Sequence, residues 1–540
     1  MQYDGTALWQ GIVDVSMERR AYNGLQYDTY AGLADNLYEA LCTSAGKAPS
    51  KTCLVDDDGT CVTFADFLEM VDQFADYLHA AHGIGKGKHV ALMLYNSREF
   101  CVAFLATMKL GGVTLPLPSK YRQAEILSLL SKSDPDLVIC DVQFSAWMEP
   151  VREAGVLVLI SDGTAGRYGY EHILQQAAPR CPHVDADVHA ADPAILMFTS
   201  GTTSMSKGVV LTNFNIMHAV ETYRLLLGIT PEDKCLIPVP IYHVTGMIAL
   251  LSLFLYVGGT TYLHRIFHAE RVLQCILDNQ ITFLHASPTV FSMLLLQKEN
   301  YPSLPSLREV ACGSSNMPKD KILEVHRWLP KTKFRTVFGM TETSSPGTIF
   351  PGDAALSPYI GSAGMPVPGT VYRIVDEAGA ELEPGQVGEI QLKGSVVLRE
   401  YYKLKTPALD AEGWLSTGDM GYFTADGYVF FMDRKKDMIN RGGEKICSYD
   451  VENELYQLPQ VDEAAVVGIP DEIYGEVAAA AIKLRAGESV TATQIQAWLR
   501  GRMAKYKVPT RILFLDQLPV TPNGKIDKRT IRTLFDKEEL

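Results

Sequence analysis

The 540-residue sequence predicts an α/β protein: a large N-terminal domain of α/β sheets with a β-barrel-like subdomain, followed by a small α+β C-terminal domain. Three observations lead to this prediction. Strand and helix patterns alternate between residues 63 and 160, short β segments broken by Gly and Pro follow after about Gly361, and a second compact pattern begins near Lys435. A chain of this length is too long to fold around a single hydrophobic core. We therefore expect two domains, residues 1–434 and 435–540.

The alternating region predicts parallel βαβ units. Apolar residues recur at helical spacing over residues 64–78, and a second helix is expected over residues 97–110. Apolar runs at residues 89–94, 136–140 and 156–160 are typical of buried strands. The Gly-rich segment at residues 83–87 precedes a strand instead of following one, so we interpret it as a turn and not as a dinucleotide-binding loop.

The later part of the chain has a different pattern. Short β segments at residues 371–375 and 388–392 predict the barrel-like subdomain. The C-terminal unit combines helices at 451–455 and near 495–499 with strands at 464–468 and 478–482. This mixture predicts an α+β domain of about a hundred residues.

Charge and cysteine usage narrow the function. The formal net charge of −14 argues against nucleic acid as a partner. The ten cysteines are scattered without metal-ligand spacing, which favours a reducing compartment over disulfides or a zinc site. The N-terminus lacks the pattern of a secretory signal, and the longest apolar run, residues 247–257, is about half of the ~20 residues that a membrane span needs. We expect a cytoplasmic protein without a transmembrane segment, and we interpret this run as a buried helix.

Residues 198–210 have the composition of a phosphate-binding loop. Glycines let backbone N–H groups turn toward an anion, hydroxyls add donors, and Lys207 adds positive charge. The alternative is a solvated Ser/Thr-rich loop, but apolar runs at 194–198 and 209–211 predict strands that hold this loop at both ends. The Walker motif does not fit, because Ser206 precedes the lysine where that motif has glycine. The loop residues expected to bind phosphate are Thr199, Ser200, Gly201, Thr202, Thr203 and Lys207.

This segment resembles the signature loop of the adenylate-forming superfamily, which includes acyl-CoA synthetases, adenylation domains of peptide synthetases and luciferases. The usual loop has glycine at the position of Ser204 and proline at that of Ser206. Both departures keep the hydrogen-bond donors and the lysine. Further motifs occur in the family's order from Thr199 to Lys525, so the resemblance covers most of the chain.

A second motif, residues 338–342, follows a strand-like segment, so its polar residues emerge at a strand end, where parallel sheets bind ligands. Taken alone, Glu342 reads as a solvated loop acid. The resemblance implies that Phe338 stacks on adenine, Thr341 contacts phosphate and Glu342 binds Mg²⁺. The implied nucleotide-binding set also includes Gly313 and Ser314.

Two charged segments near residue 430 gain roles through the resemblance. Asp419 lies in a predicted turn, where an aspartate is ordinarily a backbone cap, and residues 433–437 read as a charged linker. The resemblance implies that Asp419 accepts the ribose hydroxyls and that Arg434 binds the nucleotide. It also implies that Lys436 is the hinge about which a mobile small domain rotates.

The remaining motifs concern the acid and the thiol. Glycines permit close backbone approach, and the resemblance implies that Gly442 and Gly443 border the pantetheine arm of CoA. Lys525 is ordinarily a solvated turn residue, but the resemblance implies that it holds the substrate carboxylate and the α-phosphate together. His243 would more often be a core histidine, and here it matches a gate on the acyl pocket.

The resemblance implies an AMP-forming acid–CoA ligase that uses ATP, Mg²⁺ and CoA as co-substrate. The acid is expected to be adenylated and then transferred to the thiol. Ile241 and Tyr242 occupy the region where amino-acid-activating relatives carry an aspartate, which argues against an amino acid. Gly339 replaces the tryptophan of acetate-type relatives, which favours a larger acid: medium- or long-chain, aryl or alicyclic.

Three alternatives stay open at this point. A ligase that loads a carrier protein would resemble the fatty acyl-AMP ligases, whose insertion before the small domain is not evident here. A luciferase-like oxygenase shares the motifs, although the C-terminal sequence is no peroxisomal address. A non-catalytic nucleotide-binding module is expected to have lost Lys525 or Glu342, and both are present. The sequence leaves the oligomeric state open, with a homodimer as one option.

Overall fold

The computed structural model describes residues 1–22, 24–161, 173, 181–199, 206–315, 317–521 and 525–537. Two large sheets form the centre of the N-terminal part. The first has seven strands, and its central strands run parallel, as the alternating pattern predicts. In spatial order they are Glu400–Tyr401, Lys207–Thr212, Pro193–Thr199, Val113–Pro116, His89–Met93, Leu137–Asp141 and Leu157–Ser161.

The second sheet has nine strands, and it positions the candidate site. Its inner strands are also parallel, so their carboxyl ends lie at one edge. In spatial order the strands are Met365–Pro366, Thr348–Ile349, Lys333–Phe338, Glu309–Cys312, Phe283–Ala286, Lys234–Ile237, Thr260–Leu263, Thr52–Val55 and Cys61–Thr63.

Helices cover these sheets and bury their apolar faces in one large core and in a smaller cluster on the second face of the seven-stranded sheet. Ser97 caps the predicted second helix, and Gly83 ends the first with a left-handed φ of 63°, as the turn prediction requires. The α-helices of the described N-terminal part are Gly5–Trp9, Leu37–Lys47, Phe64–His82, Arg98–Lys109, Gln123–Ser133, Glu149–Glu153, Asn213–Leu226, Val244–Gly246, Leu253–Val257, Ala269–Asn279, Pro288–Leu295 and Lys319–Trp328.

The buried helix predicted at residues 247–257 is present, but its first half is not α-helical. Met247–Ser252 forms a π-helical turn, followed by the α-helix Leu253–Val257. The Ser252 hydroxyl donates to the Met247 carbonyl at 2.7 Å. Hydrophobicity predicts burial, whereas a π turn depends on hydrogen-bond geometry that composition does not encode.

The subdomain predicted from the β segments after Gly361 is a five-stranded antiparallel sheet. Its first strand comes from the beginning of the chain, where Gln2–Asp4 pairs with Thr370–Val375. The Trp9 indole, only 1% exposed, donates to the Pro366 carbonyl at 2.9 Å and secures this segment. In spatial order the strands are Gln2–Asp4, Thr370–Val375, Gly388–Gly394, Leu415–Phe423 and Val429–Arg434, and a separate hairpin joins Met17–Tyr22 to Leu25–Tyr30.

The C-terminal part is α+β, as predicted, with two small apolar clusters of its own. Helices pack against both sides of one mixed sheet. The strands are Ile439–Arg441, Glu444–Ile446, Val461–Asp471, Gly475–Leu484 and Arg511–Phe514, and the helices are Ser448–Tyr456, Ala492–Arg500 and Lys528–Lys537. The boundary between residues 434 and 435 stays a prediction, and it falls in the turn between Val429–Arg434 and Ile439–Arg441.

Each of the ten cysteines lies in the described part of the chain, and none is disulfide-bonded. Within the described ranges, no helix combines the length and the apolar character that crossing a bilayer requires.

One buried histidine holds the N-terminal hairpin against the large domain. His218, on Asn213–Leu226, accepts a hydrogen bond from the Thr29 hydroxyl at Nδ1 and donates from Nε2 to the Pro368 carbonyl, both at 2.9 Å. Burial lowers the pKa of His218 from 6.5 to about 4. The neutral imidazole therefore satisfies both partners, and its protonation would break the bond from Thr29.

We expect the free energy of unfolding to decrease as the pH falls from 6.5 toward 4. In this interval His218 binds a proton in the unfolded protein but not in the folded one. The contribution of His218 to the free energy of unfolding is therefore complete above pH 6.5 and is lost as the pH falls toward 4. One histidine gives a slope of about 1.4 kcal/mol per pH unit. Urea unfolding at pH 7 and pH 5 measures this change in the free energy of unfolding. His218→Gln should reduce the pH dependence by the contribution of one histidine. An unchanged pH dependence would contradict the role of His218.

Candidate active site

A cavity lies at the edge where the parallel strands of the nine-stranded sheet end. Three neighbouring strands, Phe283–Ala286, Glu309–Cys312 and Lys333–Phe338, end here, which is the usual place for ligands in parallel sheets. The lining includes residues from both parts of the chain. They are Tyr223, His243, Val244, Thr245, His285, Gly313, Ser314, Val337, Gly339, Met340, Thr341, Ser345 and Lys525.

The segment after Phe338 turns sharply into the cavity wall. A 3-10 turn, Thr341–Thr343, begins here, and the Thr343 hydroxyl accepts from the Met340 N–H at 3.0 Å. A β-carbon at Gly339 would lie 1.4 Å from the Ser345 carbonyl oxygen, so this path requires glycine. Close backbone packing therefore explains the glycine at position 339, in addition to the open acyl pocket inferred from the sequence.

Glu342 is a buried carboxylate within the same turn. Its side chain is only 7% exposed, and Oε1 accepts from the Tyr401 hydroxyl at 3.2 Å. Burial raises the pKa of Glu342, opposed by this hydrogen bond and by the positive charges of Arg434 and Lys207. Lys207 Nζ lies 5.1 Å from the centre of the Tyr401 ring. A metal cation bound at Glu342 would therefore interact with a carboxylate that little water can reach.

The predicted phosphate-binding loop is held at both ends by an antiparallel hairpin. Pro193–Thr199 pairs with Lys207–Thr212, and Thr199 stands directly opposite Lys207. The strands on either side of the loop are thus present as predicted. The loop residues Ser200, Gly201, Thr202 and Thr203 lie outside the described residues.

Asp419 and Arg434 form a pair on neighbouring strands. Arg434 Nε lies 2.7 Å from Asp419 Oδ1, while Oδ2 is buried without a hydrogen-bond partner among the described residues. Burial raises the pKa of Asp419 to about 6, although Arg434 and Lys525 act in the opposite direction. An acceptor left open in this way suits the hydroxyl donors of a ribose. Asp419 is not a turn cap: it lies within the strand Leu415–Phe423.

Among the described residues of the C-terminal part, Lys525 is the one that lines the cavity. Desolvation, followed by the charge of Arg434, lowers the pKa of Lys525 to about 8, whereas Asp419 and Glu342 oppose this shift. The residue retains solvent-accessible surface and lines the cavity. A cation near two carboxylates that lines an open cavity is well placed to meet an anionic substrate.

His243, Gly313 and Ser314 also line the cavity. The His243 ring lies edge-on to Tyr242, with ring centres 4.5 Å apart. Ser314 has a φ of 71°, the left-handed region that few non-glycine residues adopt. Phe338 packs on Phe431 with ring centres 3.9 Å apart and is only partly buried.

Several predicted residues are not part of the cavity lining: Thr199, Lys207, Phe338, Glu342, Asp419 and Arg434, described above, and also Lys436, Gly442 and Gly443. Lys436 is exposed in the turn after Val429–Arg434. Gly442 and Gly443 lie in the hairpin turn between Ile439–Arg441 and Glu444–Ile446, with φ of 58° and 95°. The Gly442 N–H donates to the Tyr474 carbonyl at 2.8 Å. Turn geometry therefore explains why glycine occupies positions 442 and 443. The approach of these two residues to CoA stays a prediction.

Sequence reasoning missed three polar residues of the lining. The Tyr223 and Ser345 hydroxyls are hydrogen-bonded at 2.9 Å, and His285 packs edge-on against Tyr223. Tyr223 lies on a helix and Ser345 in a loop far along the chain, so no local motif joins them. The only available signal was His285 itself, a polar residue within an apolar strand.

Two family models match the chain. One, described as AMP-binding enzyme, matches residues 41–402, and the other, described as AMP-binding enzyme C-terminal domain, matches residues 450–525. With the two-part fold and the cavity, these matches define the class of adenylate-forming enzymes. The chain belongs to the AMP-binding enzyme family, in agreement with the resemblance of its motifs.

Characterised relatives match nearly the whole chain. It is 32% identical to an indoleacetate–CoA ligase of Aromatoleum aromaticum, over 93% of this chain and 98% of the relative. It is 31% identical to a medium-chain fatty-acid–CoA ligase of Escherichia coli, over 91% and 88%. An o-succinylbenzoate CoA synthetase from Bacillus subtilis, solved with its acyl-adenylate, superposes with a TM-score of 0.81 at 30% identity, covering 92% of this chain and 98% of that one.

Proposed function

We propose that this chain is an AMP-forming carboxylic acid–CoA ligase, which adenylates a medium- or long-chain, aryl or alicyclic acid and transfers the acyl group to CoA. The observation that carries the proposal is the meeting of Lys525 with Thr341 and His243 in one cavity. The relatives support it, since their names include ligases of indoleacetate and of medium-chain fatty acids. Their acids differ, so the choice among acid classes rests on experiment.

The first step makes the acyl-adenylate. A carboxylate oxygen of the acid attacks the α-phosphorus of ATP, the P–O bond to pyrophosphate breaks, and pyrophosphate leaves. No protein nucleophile is required, so catalysis depends on positioning and on charge stabilisation. Lys525 bridges the carboxylate and the α-phosphate, and Lys207 with Thr199 and the following loop holds the other phosphates.

Nucleotide positioning falls to residues around the same edge. The free oxygen of Asp419 accepts from the ribose hydroxyls, Arg434 holds that carboxylate in place, and Phe338 stacks on adenine. Gly313 and Ser314 present backbone to the nucleotide. Thr341 offers its hydroxyl to phosphate from the 3-10 turn.

Glu342 is the residue that would hold Mg²⁺. The described ranges contain no cluster of three or more His, Cys, Asp or Glu side chains that could bind a metal. One buried carboxylate suits Mg²⁺, which commonly binds one or two carboxylates together with substrate phosphates. The ion would neutralise phosphate charge there.

The second step requires a different face of the small domain. The thiol sulfur of CoA attacks the acyl carbon, the bond to AMP breaks, and AMP leaves. Because Lys525 occupies the cavity while Gly442 and Gly443 lie away from it, we propose a rotation about Lys436 that exchanges them. His243 borders the acyl group through both steps.

The test measures pyrophosphate release from ATP and Mg²⁺ with fatty, aromatic and alicyclic acids, with and without CoA. We expect release that depends on the acid and acyl-CoA when CoA is present. Acid-dependent release without acyl-CoA would favour a carrier-protein acceptor. No release with any acid of the panel would contradict the ligase function.

The pH dependence of adenylation should be bell-shaped. Asp419 accepts ribose hydroxyls best as a carboxylate, so kcat/KM for ATP should fall below about pH 6. Lys525 must carry its proton, so kcat/KM should also fall above about pH 8. Initial rates of pyrophosphate release at saturating Mg²⁺ measure both limbs.

Asp419→Asn is the matched variant for this profile. It should remove the acid limb and move the alkaline limb to lower pH, because the negative charge of Asp419 raises the pKa of Lys525. An alkaline limb that stays in place would show that Lys525 does not sense Asp419.

A further inference from the structure

His285 is a buried histidine in the cavity wall that the proposed reaction does not use. It lies on the strand Phe283–Ala286 and is only 1% exposed. Its ring packs edge-on against Tyr223, with ring centres 5.9 Å apart. A β-carbon at Gly313 would lie 3.4 Å from His285 Nε2, so the glycine leaves this edge of the ring open beside the cavity.

The hydrogen bonding of His285 is incomplete. Its Nδ1 is buried and has no hydrogen-bond partner among the described residues. Nε2 also has no hydrogen bond among the described residues, and this atom, unlike Nδ1, keeps some accessible surface. Buried polar groups without partners are rare and unfavourable. The open nitrogen, Nε2, can therefore take its partner from a molecule that enters the cavity.

The chemistry of this partner follows from the charge state and the neighbours. Burial lowers the pKa of His285 to about 3, so the ring is neutral and offers one donor and one acceptor. The hydroxyls of Tyr223 and Ser345, bonded to each other at 2.9 Å, lie on the same wall. A neutral polar group fits this wall better than a second carboxylate, because the ring supplies no charge to pair with it.

We propose that His285 is a specificity-determining residue that favours acids with a hydroxyl or carbonyl group on the acyl skeleton over acids with a purely hydrocarbon skeleton. The inference rests on the proposed ligase function and narrows its substrate class. A hydrocarbon acid that fills the cavity leaves Nε2 unpaired, whereas a polar substituent supplies the missing partner. One such unmade bond changes kcat/KM by about 10- to 100-fold.

The experiment compares matched acids that differ by one hydroxyl: phenylacetate with the hydroxyphenylacetates, cinnamate with the hydroxycinnamates, and decanoate with the hydroxydecanoates. The ratio of kcat/KM within each pair is measured by pyrophosphate release for the wild-type protein and for His285→Leu. We expect at least one hydroxylated acid to be preferred about 10-fold or more, and His285→Leu to bring this ratio close to one. A merely structural role would lower both members of a pair alike.

His264→Leu is the matched control. His264 is also buried with an unbonded Nδ1, and burial lowers its pKa, but it lies at a separate cavity beside Asp57 and Arg271. His264→Leu should leave the kcat/KM ratios within the acid pairs unchanged. His285→Asn keeps a donor and an acceptor, so it should retain part of the preference for hydroxylated acids. It tests the proposal even if His285→Leu folds poorly. Thermal melting checks the folding of both variants.

Calorimetric binding of the same acid pairs separates this inference from the ligase function. A binding preference that His285→Leu removes supports the inference even if no acid gives turnover, in which case only the ligase function fails. Equal binding and equal turnover within every pair would overturn the inference while leaving the ligase function intact.

Discussion

Replacing Lys525 with alanine is expected to lower acid-dependent pyrophosphate release by roughly 10²- to 10³-fold, the usual effect of losing one group that stabilises transition-state charge. Lys525 is the one described residue of the C-terminal part that lines the cavity, and it lies near Asp419 and Glu342. Its removal leaves the charge that develops on the carboxylate and α-phosphate without a cation between them. The protein should fold normally, because the side chain lines an open cavity and fills no core.

The loss should be confined to the first half-reaction. When a synthetic acyl-adenylate is supplied with CoA, Lys525→Ala should form the thioester at nearly the wild-type rate, since the proposed rotation withdraws Lys525 before the thiol attacks. Lys505→Ala, which changes an exposed lysine of the same domain, serves as control and should alter neither step. Equal losses in both half-reactions would contradict the separate roles assigned to the two faces of the domain.

Glu342→Gln should have the second large effect, a loss of adenylation on the order of 10²-fold with a higher Mg²⁺ requirement. The amide keeps the shape of the side chain and an oxygen for the Tyr401 hydroxyl, but it lacks the negative charge that binds the ion. Initial rates at saturating ATP across a range of Mg²⁺ concentrations measure both changes.

Tyr401→Phe separates charge from hydrogen bonding. It removes the donor at 3.2 Å and leaves the carboxylate, so its effect on adenylation should stay below about tenfold, the scale of one neutral hydrogen bond. If Glu342→Gln lowered the rate without changing the Mg²⁺ dependence, the role of Glu342 as a metal ligand would be wrong.

The fold was largely predictable because its central strands are buried on both faces. Such strands are continuous apolar runs, and the strands His89–Met93, Leu137–Asp141 and Leu157–Ser161 lie within a residue of the expected positions. The strand Gln2–Asp4 escaped prediction because its partner, Thr370–Val375, lies more than 360 residues away and three residues carry no periodicity.

The site was predictable where a motif is continuous in sequence. Thr341 and Lys525 could be chosen because their neighbours form recognisable segments, and the cavity brings them together. Tyr223, His285 and Ser345 could not, because each lies alone on a different element and only packing makes them neighbours. Specificity depends on such isolated residues, whereas the common chemistry depends on motifs.

The strand Gln2–Asp4 has a practical consequence for protein production. An expression fragment that begins at residue 41, where the family match starts, would lose this strand and Trp9. Thr370–Val375 would then become an open sheet edge, and exposed edges promote aggregation. Asp419 lies on a strand of the same sheet, so such a fragment should be both insoluble and poor at holding nucleotide, although every recognised motif would be intact.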